Sequence, residues 1–372
     1  MGAWRCGTMR SVGQRRLAAA LDHLSPKDVA AAAVAAGSYP PAADPQAPWL
    51  FPLGTLAEQK AWLREAEAAG VLTVRPLGEY IGAQVFGVDL TVLAPARLVL
   101  ALRSALNVYK VLVLRGQRLS HAQHIACARA FGDVTLGHIA LRTPQNVVRG
   151  YPEVFALERP GTTQEAAEEK VRWWARQYEL GADLSTGAFQ NATTDNDEGA
   201  TEGAGLPSIS NSDGWWLKRW HTDITGAVNP PAFSILRPES GGVPPPTENP
   251  ATSGDTSWAN LAQAYQELPS KVQKRIQGLR GFHDLYELAA EHPLVTVHPE
   301  TQERVLFISP LTMARIPGLE AAEGERLMQM LRQHATQPHL LMTHRWQDDD
   351  LVLWDNRATM HLAPLGLPLA PR

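Results

Sequence analysis

Around position 220 the chain reads Trp220-His221-Thr222-Asp223-Ile224-Thr225. On a strand, side chains two residues apart project from the same face, so His221 and Asp223 would set an imidazole beside a carboxylate. Add one distant histidine and the result is a two-His, one-carboxylate facial triad, whose open positions suit non-haem Fe(II). A lone His-x-Asp is weak evidence, because 12 histidines among 372 residues make one such pair unsurprising. Its competitor is an ordinary hydrogen-bonded strand pair. Residues 351 to 361 strengthen the metal reading: an apolar strand from Leu351 to Trp354 meets a polar turn at Asp355-Asn356-Arg357 and then His361. A histidine just past a buried strand is a candidate third ligand, and its rival is a core histidine with satisfied ring nitrogens. A second acid pair, His298-Pro299-Glu300, carries an intervening proline that marks a turn or strand edge. It reads as surface.

These candidates need short strands to hold them. Val71 to Val74, Val111 to Leu114 and Val352 to Trp354 are β-branched or apolar runs, and Ala96 to Val108 and His121 to Ala130 are helical stretches. Gly82, Gly87, Gly116 and Gly132 punctuate them. A further helix is expected from Thr55, where Thr55-x-x-Glu58 forms a capping box ahead of Trp62 and Leu63. No internal repeat or regular strand–helix alternation is visible. The pattern predicts a mainly β core, an antiparallel barrel or double sheet with flanking helices.

Residues 1–54 read as an irregular N-terminal extension, and 55–372 as one domain with surface insertions at about 160–214 and 243–253. Arg5, Arg10, Arg15 and Arg16, with no acid in the first twenty residues, suit either a solvated tail or an organellar transit peptide. A formal net charge of -4 gives no reason to expect nucleic acid. No apolar run approaches the ~18 residues of a membrane-spanning helix. Two cysteines cannot build a disulfide framework. The expectation is a soluble cytoplasmic protein acting on a small molecule, open to homo-oligomerisation.

Trp-His-Thr-Asp followed far downstream by Trp-Asp-Asn-Arg-x-Thr-x-His resembles the taurine dioxygenase (TauD/TfdA) family of Fe(II)- and 2-oxoglutarate-dependent oxygenases. Other matching stretches, in order, are Ile81-Gly82-Ala83, Gly87-Val88-Asp89-Leu90, Val113-Leu114-Arg115-Gly116-Gln117, Phe131-Gly132-Asp133, Asp255-Thr256-Ser257-Trp258-Ala259 and His334-Ala335-Thr336. The resemblance implies a double-stranded β-helix, or jelly roll, with Fe(II) held by His221, Asp223 and His361. It implies 2-oxoglutarate and O2 as co-substrates, with Thr256 hydrogen-bonding the 2-oxoglutarate. It places His138 against the anionic head group of a sulfonate, alkyl sulfate or aryloxy acid. Asn356 and Arg357 would hold the strand end that positions His361. Trp220 belongs to the family motif, whereas Trp215 and Trp216 read as packing aromatics.

One departure stands out. The family carries a further strand after the last histidine, with an arginine that pairs with the far carboxylate of 2-oxoglutarate. Here three prolines lie between His361 and Arg372, which argues against a ladder-forming strand. Arg372 would have to fold back to substitute for that arginine. The alternative expectation is a metal-binding relative with impaired catalysis.

Overall fold

A computed structural model describes residues 55–92, 96–132, 134, 147–148, 150–155, 219–238, 255–285 and 288–362. His138, Arg372, Trp215, Trp216, the N-terminal extension and both expected insertions lie outside the described residues.

In chain order, α1 (Leu56–Ala68), β1 (Thr73–Pro76), β2 (Ala83–Phe86), α2 (Ala96–Tyr109), β3 (Val111–Leu114) and α3 (His121–Arg129) come first. Then follow β4 (Val147–Val148), β5 (Tyr151–Phe155), β6 (Phe233–Leu236), β7 (Thr256–Asn260), α4 (Leu261–Glu267) and α5 (Ser270–Ile276). Next are β8 (Arg280–Leu285), β9 (Leu288–Pro293), β10 (Val295–Val297), β11 (Arg304–Leu306) and β12 (Met313–Arg315). The last elements are α6 (Ala321–Ala335), β13 (Leu341–His344), β14 (Leu351–Asp355) and β15 (Thr359–Leu362). The expected capping box is present: the Thr55 hydroxyl accepts from the Glu58 amide while the Glu58 carboxylate accepts from the Thr55 amide.

The core is two facing sheets. One has the order β1-β2-β3-β14-β6, the other β13-β7-β15. Alternation along β3 and β14 shows how they pack, because both faces of these central strands are buried. Leu112, Leu114, Leu351 and Leu353 face a helical layer containing Leu63, Leu102, Leu106 and Cys127. Val111, Val113, Val352 and Trp354 face the opposite way, onto Trp258 and Met342 of the smaller sheet. The outer face of the smaller sheet (Ala259, Met360, Leu362) packs on α4 and α6. Each large apolar side chain buried this way contributes about 1.5–3 kcal/mol. Gly82 lies where the sheets come close. Its φ of 86° favours glycine, and a Cβ there would run into the Met342 sulfur.

One pair departs from the antiparallel expectation: β2 and β3 are parallel. Parallel neighbours need a long crossover, and α2 supplies it.

Candidate metal centre

His221 and His361 are joined by a closed pair of backbone hydrogen bonds, His221 N to His361 O at 2.9 Å and His361 N to His221 O at 2.7 Å. Directly opposed residues share a face, so the two rings meet with centroids 4.1 Å apart. His361 does not trail the apolar strand β14; it sits on its own strand, β15, opposite Trp258 of β7. His221 likewise departs from expectation. It makes an isolated bridge, after which the chain turns. Asp223 therefore reaches the imidazoles from a turn rather than by strand alternation.

That turn is pinned from several sides. The Thr222 hydroxyl donates to Thr359 O (2.8 Å), and the Thr222 amide to the Ser309 hydroxyl (3.1 Å). Thr225 and Thr312 share a hydroxyl contact of 2.6 Å. His292 bonds the carbonyls of Thr225 and Ala227. These contacts hold Ile224 at φ 50°, a left-handed conformation that costs a β-branched residue about 1–2 kcal/mol. Strain next to a carboxylate aimed at two imidazoles is where such outliers collect.

Asp223 Oδ1 stands 3.7 Å from Nε2 of His361 and 4.0 Å from Nε2 of His221. All three donor atoms lie within 4.8 Å of one another. An ion with the ~2.0–2.2 Å bonds of imidazole and carboxylate donors reaches all three after shifts of a few tenths of an ångström. The rings are in the right state for it. Nδ1 of His221 lies 3.1 Å from the Arg219 carbonyl, which puts its proton on Nδ1 and leaves Nε2 a lone pair. Burial pushes His221 below its ordinary value, and burial followed by repulsion from His221 pushes His361 down to about 3. Nδ1 of His361 is buried with no partner among the described residues. Two neutral imidazoles and a carboxylate are the donor set of a non-haem Fe(II) site, and the residues fit that ion. Trp354 and Trp258 wall it, with ring centroids 5.1 and 6.5 Å from that of His361.

Residues 73–364 match the model of the taurine catabolism dioxygenase TauD, TfdA family. The chain belongs to that family. An alpha-ketoglutarate-dependent sulfate ester dioxygenase of Pseudomonas putida is 32% identical over 192 residues, 45% of this chain and 61% of that protein. The chain thus spans about three-fifths of that relative's length. An alpha-ketoglutarate-dependent 2,4-dichlorophenoxyacetate dioxygenase of Cupriavidus pinatubonensis is 29% identical over 308 residues, 78% and 91% of the two chains. Among solved structures, a taurine dioxygenase from Burkholderia xenovorans matches with a TM-score of 0.57 and 35% identity, covering 79% of this chain and 84% of its own. The two-sheet core of this family member is accordingly a jelly roll.

Thr256 lies on β7 two residues before Trp258, the partner of His361. It therefore shares the inward face of the sheet with His361, as a diagonal neighbour. Its hydroxyl accepts from the Trp346 indole N–H at 3.0 Å, which leaves its own proton free to donate.

Asn356 acts differently from expectation. Its Nδ2 donates to Ser234 Oγ (2.8 Å), and Ser234 Oγ donates to Asp223 Oδ2 (2.5 Å). It supports Asp223 rather than His361. Sequence reasoning missed Ser234; the available signal was a lone hydroxyl in the apolar strand Phe-Ser-Ile-Leu.

The surface reading of His298-Pro299-Glu300 is corrected by the structure. His298 and Glu300 are buried, and their turn is plugged into an ionic hub. Nε2 of His298 meets Asp355 Oδ2 at 2.9 Å, and its Nδ1 accepts from the amides of Glu300 and Thr301. Glu300 is bound by Arg103, Arg357 and Asn107. Opposite charges and hydrogen bonds overcome burial and hold Glu300 at about 2. Arg357, bonded to both Asp355 and Glu300, holds the turn between β14 and β15, as the family resemblance implies.

Proposed function

We propose that this family member is an Fe(II)- and 2-oxoglutarate-dependent dioxygenase that hydroxylates a C–H bond of a small anionic substrate and releases succinate and CO2. The observation that carries the reading is the convergence of Nε2 of His221, Nε2 of His361 and Oδ1 of Asp223. These three residues would hold the ion. Bound there, Fe(II) supplies the coupling of O2 reduction to oxidative decarboxylation of 2-oxoglutarate and to oxygen insertion into the substrate.

The remaining work belongs to the chain. Thr256, with its acceptor side taken by Trp346, directs its proton to a carboxylate of 2-oxoglutarate. Trp258 and Trp354 keep water from the inner side of the site. On the family resemblance His138 meets the substrate head group, and Arg372 stands in for the family's arginine at the far carboxylate of 2-oxoglutarate. Relatives named for a sulfate ester, for taurine and for an aryloxyacetate support an anionic substrate of the sulfonate, alkyl sulfate or aryloxy acid class.

The test is release of succinate and CO2 with Fe(II), ascorbate and 2-oxoglutarate across a panel of those three substrate classes. Turnover stimulated by one class and abolished by His221→Ala is expected. Stable folded protein that binds no Fe(II) would sink the proposal.

A further inference from the structure

The carboxylate of Asp223 has two oxygens, and their surroundings are unlike. Oδ1 faces the two imidazoles, whereas Oδ2 is taken by Ser234. Behind Ser234 runs a chain of hydrogen bonds whose polarity has a single solution. The Trp354 indole Nε1 can only donate, and it sits 2.9 Å from Oδ1 of Asn356. That fixes the Asn356 amide, so Nδ2 faces Ser234 at 2.8 Å. Nδ2 also can only donate, so Ser234 Oγ accepts from it. The one hydroxyl proton of Ser234 then goes to Asp223 Oδ2. Each member is anchored: Trp354 and Ser234 are opposed in register across β14 and β6, and the Asn356 amide bonds Ala232 O at 2.9 Å.

We infer that Trp354, Asn356 and Ser234 form a one-directional relay that keeps Asp223 a one-oxygen ligand. The inference rests on the metal reading above and deepens it. A facial triad leaves three positions only if its carboxylate occupies one. Without the Ser234 hydrogen bond, Oδ2 would lose a hold that keeps it from turning to the ion and closing a position that a bidentate co-substrate needs. Ser234 and Asn356 are thus positioning residues, acting on the metal through Asp223. Partners of this kind typically change metal affinity by about 10–100-fold when removed.

The experiment titrates the full chain with Co(II), reading the visible d–d bands for coordination number and the metal-induced rise in Tm for affinity. The variants are Ser234→Ala, Ser234→Thr and Asn356→Asp. Ser234→Ala is expected to weaken Co(II) binding about ten-fold and shift its bands toward higher coordination. Ser234→Thr, which keeps the hydroxyl, should restore both. Asn356→Asp, nearly isosteric, replaces the donor with an acceptor, turns the Ser234 proton away from Asp223 and should lose more than Ser234→Ala. Unchanged affinity and bands in Ser234→Ala overturn the relay. If Asn356→Asp does not fold, the Ala and Thr pair at position 234 decides alone. Failure of the underlying metal reading looks different: the unmodified chain would not bind Co(II), or His361→Ala would bind it equally well.

Discussion

At His221-Thr222-Asp223 the ring Nε2 and the carboxylate Oδ1 stand 4.0 Å apart with no hydrogen bond between them. At His298-Pro299-Glu300 both ring nitrogens are bonded, to Asp355 and to two backbone amides, and the glutamate is held by two arginines and an asparagine. The two stretches have the same residue spacing and opposite fates. In the first, two imidazoles and a carboxylate converge without hydrogen-bonding each other, which is what a cation needs. In the second, every charge has a partner, which is what burial needs. Spacing alone therefore does not make a metal site. The difference lies in what other elements bring. Arg103 on α2 and Arg357 after β14 complete the hub, whereas Asp223 turns one oxygen to the Ser234 hydroxyl and the other toward two imidazoles.

The sharpest way to break this comparison is at His361. His361→Ala should abolish stoichiometric Fe(II) binding, read by anaerobic titration, and leave the hub folded. Equal binding by the variant would dissolve the distinction between the two regions. Next in size is Glu300→Gln. Leaving Arg103 and Arg357 without their shared carboxylate should cost about 3–5 kcal/mol of unfolding free energy, measured by urea titration. The folded fraction should still bind one ion, and a loss of stoichiometry there would show that the hub reaches the ligands.

A smaller effect is expected at His298. Burial lowers its pKa below 6.5, so the unfolded chain binds a proton that the folded one refuses as pH falls below that value. Its contribution is therefore complete above pH 6.5 and declines toward acid, by at most about 1.4 kcal/mol per pH unit. His298→Gln should flatten the acid side of the stability profile by that amount, cost about 1–2 kcal/mol at pH 7.5 and leave metal binding intact. An unchanged profile would mean the ring takes up its proton as readily in the fold as in the unfolded chain. The smallest effect should come from Gln59 on α1, whose amide donates to Glu300 O and accepts from Asn107. Gln59→Leu should cost about 1 kcal/mol with no change in metal affinity, and a larger loss would show that α1 is part of the hub rather than its lid.

Local features were legible in advance where neighbours along the chain decide them. Thr55 and Glu58 cap each other three residues apart, and β3 falls where the run Val111 to Leu114 places it. The candidate donor set was legible for another reason, the resemblance to a known family. Its chemistry demands particular residue types in a motif order, and that order survives in the linear chain. What the sequence could not show were partnerships across long separations. Arg103 meets Glu300 197 positions away, and Asn356 meets Ser234 122 positions away. Pro299 correctly marked a turn, but whether a turn faces water or an ionic hub depends on which helix packs over it.

By itself the sequence pointed to a barrel or double-sheet core, through apolar runs too short for helices, and, through the family resemblance, to three candidate donors. Tertiary structure alone decided that His221 needs only one bridge to His361, that a strained turn delivers Asp223, and that a serine from another strand occupies one of its oxygens. A carboxylate's two oxygens are identical in the chain. Only the fold's asymmetric surroundings, an imidazole pair on one side and a hydroxyl on the other, make them different.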